Sequence, residues 1–343
     1  MFLRNCWYVA AWDYEVTTNL FTRKILGETV LFYRRADRKV VALADRCCHR
    51  RAPLSIGRRE GDCVRCMYHG MLFGPDGRCV EIPGQDVIPK KAKVHAYPVE
   101  ERHRWIWIWM GDPEKADPSL IPDTRWVDDP DWKGTPPGYL NFRSNYELLN
   151  DNLLDFSHLA YVHLSTLGGS ETYAQLKPEI EVLDRGIRIS RWLYDFAPPP
   201  FVARLLPAGN VDRWNDYDFL VPGILIMNSG FAPAGSGAKQ GNRAGAIEFR
   251  SCQAVTPETE NTTHYFFSQP RNFANDDPIT DRMLDTALRT AFKEDLDMIE
   301  AQQKRWEESS DDELVLINAD VALVQFRRIM DRLRLEERES SRG

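Results

Sequence analysis

The sequence predicts an α+β chain in two parts: a small all-β domain at residues 1–125 and, at residues 126–343, an antiparallel sheet with helices gathered at its ends. Three features carry this prediction. Short apolar runs separated by glycine and charged turns fill the first third of the chain. The stretch GDPEKADPSLIPDTRWVDDPDWKGTPPG, rich in proline, aspartate and glycine, shows no sustained period, as expected of a connection between domains. Beyond it, strand-like and helical periods come in blocks and not in βαβ alternation.

Taken in order, TVLFYRR, VVALADR, RCVEIPG and RWIWIWMGD read as strands, and the alternation of Trp105, Trp107 and Trp109 predicts a strand with one buried face. After Tyr139 a helical pattern covers Tyr146 to Val162. The runs EIEVLDRGIRISRWLYDF, FLVPGILIMNSGF, AIEFRSCQAV and THYFFSQ are β-like. Two further helical patterns follow, near Ile279 to Trp306 and Ala319 to Glu337.

Composition narrows the function. With 343 residues, 43% of them hydrophobic, the chain can bury two cores, which excludes disorder as the main state. A net charge of -7 leaves no basic stripe for nucleic-acid phosphates. There is no uncharged apolar run of about 18 residues, and MFLRNCWYVAAW is too short and too aromatic for a signal peptide. The reading is a cytoplasmic protein without nucleic acid or membrane partners. Four of seven cysteines crowd beside histidines, which favours a metal or redox site over disulfides.

That crowd forms the first constellation: Cys47-x-His49, then, after sixteen intervening residues, Cys66-x-x-His69. A structural zinc built from Cys47 or Cys48, Cys63, Cys66 and a histidine is one reading. Zinc knuckles, however, pair two cysteines each, whereas here two loops each offer one cysteine and one histidine. A two-iron cluster uses that arrangement, two thiolates on one iron and two imidazoles on the other, which is the Rieske [2Fe–2S] centre. Pro53, Gly70 and the Gly74-Pro75-Asp76-Gly77 turn suit loops wrapped around a cluster. Cys48, Cys63, Cys6, Cys79 and Cys252 read as small buried residues.

The second constellation lies in NDNLLDFSHLAYVH. On a helix, Asn152, Asp155 and His158 step along one face. His158 and His163 are five apart, so sharing a metal requires a π-bulge or a helix end between them. Far along the chain, Asp295 falls in the apolar stripe of Leu284, Leu288, Ala291, Phe292, Met298 and Ile299. Two histidines and a carboxylate make the facial triad of mononuclear non-haem Fe(II). The pattern is equally compatible with an ion pair from Asp295 to Arg289 or Arg328.

These motifs, with NCWYVAAWD, RCCHRRAPLS, GDCVRCMYHG, EIPGQ, TPETENTTHYFF and KEDLDMIEAQ, resemble the oxygenase component of Rieske non-haem iron oxygenases over nearly the whole chain. The branch resembled contains toluenesulfonate methyl-monooxygenase, vanillate O-demethylase and dicamba O-demethylase. The resemblance implies an N-terminal Rieske domain and a catalytic domain of helix-grip type. It implies that Cys47, His49, Cys66 and His69 hold the cluster and that His158, His163 and Asp295 hold Fe(II). Asp155 would bond to His158 and, across a homotrimer boundary, to His69 of a neighbouring chain. Asn152 would sit near the iron without being a dependable ligand.

The implied activity uses O2 and electrons from NAD(P)H, delivered one at a time by a ferredoxin or flavin reductase component, to hydroxylate a methyl or methoxy carbon of an aromatic acid. A methoxy substrate would release formaldehyde; a methyl substrate would give a benzylic alcohol. Met227, Asn228, Gln253, His264 and Phe266 are the expected pocket lining. Ring dihydroxylation, an electron carrier without oxygenase activity and a zinc-stabilised scaffold are the rivals.

Overall fold

A computed structural model describes residues 2–163, 166–167, 171–308 and 314–340. The chain divides into two compact units, Met1–Ile121 with Thr256–Glu260, and Pro122–Val255 with Asn261–Gly343. The break falls a few residues before the expected 125/126 boundary. The assignment of Thr256–Glu260 to the first unit was not legible in sequence. Its basis is hydrogen bonding: Thr256 Oγ1 donates to the Val9 carbonyl, and the Leu26 and Gly27 amides donate to the carbonyls of Pro257 and Glu258.

The first unit is all β. Its strands are β1 (Trp7–Trp12), β2 (Phe21–Ile25), β3 (Glu28–Arg34), β4 (Val40–Ala44), β5 (Arg58–Glu60), β6 (Cys63–Arg65), β7 (Leu72–Phe73), β8 (Cys79–Glu81), β9 (Val99–Arg102) and β10 (Trp105–Trp109). They form antiparallel sheets ordered β1-β10-β9, β2-β3-β4 and β5-β6-β7-β8. Strand β10 departs from its sequence reading. All five of its residues are buried, because it is the central strand of its sheet and both its faces are covered. Trp105 and Trp109 pack against Trp12 and Trp7 of β1.

The second unit is built on one antiparallel seven-stranded sheet. Strand β11 (Gly138–Phe142) leads into α1 (Tyr146–Leu154) and a five-residue 3-10 turn, Phe156–Ala160. After α2 (Glu171–Gln175) come β12 (Glu179–Leu183), β13 (Gly186–Phe196), the short α3 (Pro200–Ala203), β14 (Val211–Leu220), β15 (Ile224–Pro233), β16 (Ile247–Thr259) and β17 (Thr262–Ser268). Helices α4 (Pro278–Glu308) and α5 (Val321–Ser340) follow, and the sheet order is β11-β17-β16-β15-β14-β13-β12. The run read as one β segment from Glu179 to Phe196 is a hairpin, broken at Asp184-Arg185.

Aromatic contacts fix the helices on one face. Phe292 of α4 meets Tyr265 and Phe267 of β17 edge-on, and Phe326 of α5 meets Phe219 of β14. Among the described residues no helix is long and apolar enough to cross a membrane.

Candidate active site

The two Cys–His loops of the first unit are built alike. In each, the cysteine amide donates to a carbonyl five residues on, Ala52 or Met71. The cysteine carbonyl in turn accepts from the amide four residues on, Arg51 or Gly70, all at 2.8–2.9 Å. Arg51 and Gly70 both take left-handed backbone, φ 59° and 75°. At Gly70 a side chain is excluded as well, since a Cβ there would lie 2.6 Å from Pro83 Cγ.

This shared backbone sorts the donors. Cys47 and Cys66 turn inward and are buried, while His49 and His69 are exposed with ring centroids 4.5 Å apart. Burial pushes the Cys47 thiol up to about 11, against a hydrogen bond from the His49 backbone and with the Cys66 thiol adding to the rise. Two thiols this dry and this close ionise together only when cations take the charge. Nor do the four donors converge on one point, because among the described residues a cage of three or more donors around a single ion occurs at His158, His163 and Asp295 alone. A single zinc fits that spread poorly, and a group carrying two metals fits it.

The other cysteines need one correction. Cys6, Cys79 and Cys252 are buried and Cys63 is half-buried, but Cys48 is exposed: with Cys47 turned inward, its neighbour faces solvent.

In the second unit the chain breaks its helix to present histidines. Helix α1 stops at Leu154, short of the expected Val162, and Asp155 leaves it with φ −128° and ψ 110°. The Asp155 carboxylate takes the Ser157 amide at 2.9 Å and the Ser157 hydroxyl at 2.5 Å, capping the 3-10 turn that carries His158. That turn ends at Ala160, before His163, so the helix end required by the five-residue spacing is present. Asn152, Asp155 and His158 therefore do not share a helix face.

His158 Nε2 lies 3.6 Å and His163 Nε2 3.0 Å from Asp295 Oδ1, and the three ligand atoms fall within 4.8 Å of one another. The opposite ring nitrogens are held. His158 Nδ1 bonds to the Asp155 carbonyl at 2.5 Å, and His163 Nδ1 bonds to Glu294 Oε2 at 2.8 Å. With Nδ1 donating in both rings, two Nε2 lone pairs face one carboxylate oxygen, an arrangement that calls for a cation. Burial pushes the His158 pKa down. At His163 burial acts the same way, but Asp295 and Glu294 outweigh it and raise the pKa.

Asp295 is 5% exposed, and its partners are Asn152 at 3.0 Å and the two histidines. Arg289, offered by sequence as a salt-bridge partner, instead pairs with Asp285 one turn away. Asp155 bonds to His158 through its backbone carbonyl, which leaves its carboxylate for other partners. The carboxylate pairs with Arg191 at 3.0 Å, and Arg191 is 3% exposed. Sequence reasoning missed Arg191, which sits in an unremarkable strand pattern.

A cavity of about 360 Å³ opens beside these residues, with Asn152, His158, His163 and Asp295 in its wall. Leu159, Met227, Phe231, Phe249, Leu284 and Phe292 give it an apolar lining. Of the five expected lining residues, Met227 and Gln253 are there. Asn228 is not: strand alternation turns it to the opposite face, where it accepts from Trp214 Nε1 and donates to Glu248. His264 and Phe266 also face away, against Tyr139, while Tyr265 and Phe267 between and after them turn inward.

A Rieske [2Fe-2S] domain matches residues 6–98, and a vanillate O-demethylase oxygenase C-terminal domain matches residues 142–336. The chain belongs to the Rieske non-haem iron oxygenases. It is 49% identical to the toluene-4-sulfonate monooxygenase system iron-sulfur subunit TsaM1 of Comamonas testosteroni, over 97% of each chain. To the vanillate O-demethylase oxygenase subunit of Pseudomonas sp. (strain HR199 / DSM 7063) it is 35% identical, over 99% of this chain and 97% of that one. The crystal structure of dicamba monooxygenase bound to 3,6-dichlorosalicylic acid superposes with a TM-score of 0.89 at 35% identity, covering 99% of both chains.

This Rieske oxygenase is thus a terminal monooxygenase component acting on methyl or methoxy carbon, and its cofactors are a [2Fe–2S] cluster and a mononuclear iron. The second matched domain gives residues beyond 139 a purpose that an electron carrier would not.

Proposed function

We propose that Cys47, His49, Cys66 and His69 hold the [2Fe–2S] cluster, that His158, His163 and Asp295 hold the iron, and that the substrate is an aromatic acid bearing a methyl or methoxy group. The observation that carries this reading is the convergence of two Nε2 lone pairs on Asp295 Oδ1 at the wall of a largely apolar cavity. When bound, the cluster supplies single electrons and the iron supplies a site for activating dioxygen.

The chain's own residues do the rest. Glu294 and the Asp155 carbonyl fix the imidazole orientations, and Asn152 steadies Asp295 by donating to it. Leu159, Phe156 and Phe292 exclude water from the face where substrate lies. Met227 and the Gln253 wall set the shape of the ring's slot; Gln253 itself is locked, accepting from Tyr265 at 2.6 Å and donating to Ser251 at 2.9 Å.

Electrons come from a separate ferredoxin or flavin reductase that draws on NAD(P)H, and a homotrimer places His69 of one chain against Asp155 of the next. The exposure of His49 and His69 supports this, since electrons leave the cluster through those rings. A cytoplasmic setting fits the seven free cysteines.

The test is coupled O2 uptake and formaldehyde release with a series of methoxy- and methyl-substituted aromatic acids in the presence of a reductase. The reading predicts formaldehyde or benzylic alcohol in step with O2 consumed. Uptake without either product across the series would contradict it. Light scattering of the purified chain tests the trimer.

A further inference from the structure

We infer that Arg191 is a positioning residue for electron entry: with Ser157 it holds the Asp155 carboxylate so that one oxygen lone pair is left facing outward for the imidazole N–H of His69 from a neighbouring copy. This inference rests on the proposed ligand set and homotrimer, and it names the residues behind the contact between chains.

A carboxylate offers about four lone-pair directions. At Asp155 three of them are taken: Oδ1 accepts from the Ser157 amide at 2.9 Å and from Arg191 Nη2 at 3.0 Å, and Oδ2 accepts from the Ser157 hydroxyl at 2.5 Å. The direction left over is on Oδ2. The Asp155 side chain is 20% exposed and the arginine behind it 3%, so that direction opens outward. On its other side the same residue gives its backbone carbonyl to His158 Nδ1. One residue thus faces both a metal-binding imidazole and whatever docks from outside.

Three consecutive residues tie this turn to the sheet. The Leu154 carbonyl accepts from the Tyr217 hydroxyl at 3.3 Å, Asp155 meets Arg191, and the Phe156 ring stacks on the Tyr217 ring at 4.6 Å. Tyr217 of β14 pairs with Ile189 of β13, two residues from Arg191 on the same face, so all three ties end on one small patch of paired strands. For stability alone Arg191 is a poor choice there. Its Nε and Nη1 are buried without a partner, and Asp155 is the one carboxylate it meets among the described residues. An aliphatic side chain would fill the same volume without orphaned donors. What it would not do is aim the Asp155 oxygens. In the step this serves, one electron leaves the cluster of one chain and arrives at the iron of the next, and the reductase replaces it.

The experiment is flash reduction of the full-length protein under argon, loaded with cluster and ferric iron and with no substrate or reductase present. The cluster's visible absorption should bleach and then recover as the electron passes to the iron. Arg191→Gln should slow the recovery about tenfold or more, with cluster content, iron content and trimer mass unchanged. Arg191→Lys, which keeps a donor on Asp155, should restore part of the rate. Ser157→Ala, which removes one donor from the same carboxylate, should slow recovery by less and decides the matter together with the lysine variant if Arg191→Gln does not fold. An unchanged rate in Arg191→Gln, or a slower one accompanied by loss of iron or of the trimer, would overturn the inference. Asp155→Asn keeps the two failures distinct. If it slows recovery while Arg191→Gln does not, the contact between chains stands and the role of Arg191 falls; if it changes nothing, or if wild type shows no recovery, the reading beneath falls too.

Discussion

The two metal-binding regions of this chain are held together in different ways. Between Cys47 and His69 the donors sit on two adjacent loops whose shape is set by backbone hydrogen bonds and left-handed residues, with the imidazoles left at the surface. At His158, His163 and Asp295 the donors come from a 3-10 turn, from the chain just after it and from a helix 132 residues beyond His163, are half-buried or buried, and are oriented by side chains such as Asn152 and Glu294. A local, exposed frame suits a centre that must hand electrons on. A buried assembly from distant elements suits a centre that must exclude water, and it depends on the whole domain being folded.

Cys66→Ser should separate the regions most strongly. It is expected to abolish the visible absorption of the cluster and all reductase-driven turnover, while the single iron of the second unit is retained on metal analysis.

Next in size is Arg191→Met, which leaves the Asp155 carboxylate with Ser157 but without its guanidinium. Losing this charged hydrogen bond, buried at its arginine end, should cost about 1.5–3 kcal/mol in urea unfolding, with Arg191→Lys recovering part of it. The first unit's cluster spectrum should not change. Asn152→Ala removes a charged-acceptor hydrogen bond from Asp295 and should weaken iron affinity about 10–100-fold, measured by chelator competition. Turnover should return with excess Fe(II), which would not happen if the asparagine only supported the fold.

The smallest effect expected lies in the first unit. Gly70→Ala places a side chain at φ 75° against Pro83. It should lower stability by about 1–2 kcal/mol and reduce cluster occupancy, leaving iron in the second unit untouched.

What was legible in sequence follows the same division. The Cys–His spacing is a local code, so residues 47–69 yielded the proposed ligands directly. His158, His163 and Asp295 were legible as types in the right patterns, but only the fold shows that Arg289 turns to Asp285 and leaves Asp295 to the histidines.

Face assignment failed where a one-residue change of register reverses a side chain. Met227 and Gln253 lie in the cavity wall, while Asn228, His264 and Phe266 face away from it. The strand carrying Arg213 escaped notice because VDRWNDYD is full of residues depleted in strands, and it is held extended by pairing with β13 on one side and β15 on the other. Likewise β10 appeared half-buried because a tryptophan alternation does not show that both faces are covered.

The central claim is that one chain carries two independent iron stations. Its most direct test is an anaerobic iron and acid-labile sulfide count, with EPR of the reduced protein, on wild type and Asp295→Ala. The prediction is about three irons and two sulfides per chain in wild type, falling to about two irons with unchanged sulfide and an unchanged Rieske signal in the variant. Loss of the Rieske signal along with the iron, or an iron count that Asp295→Ala does not lower, would contradict it.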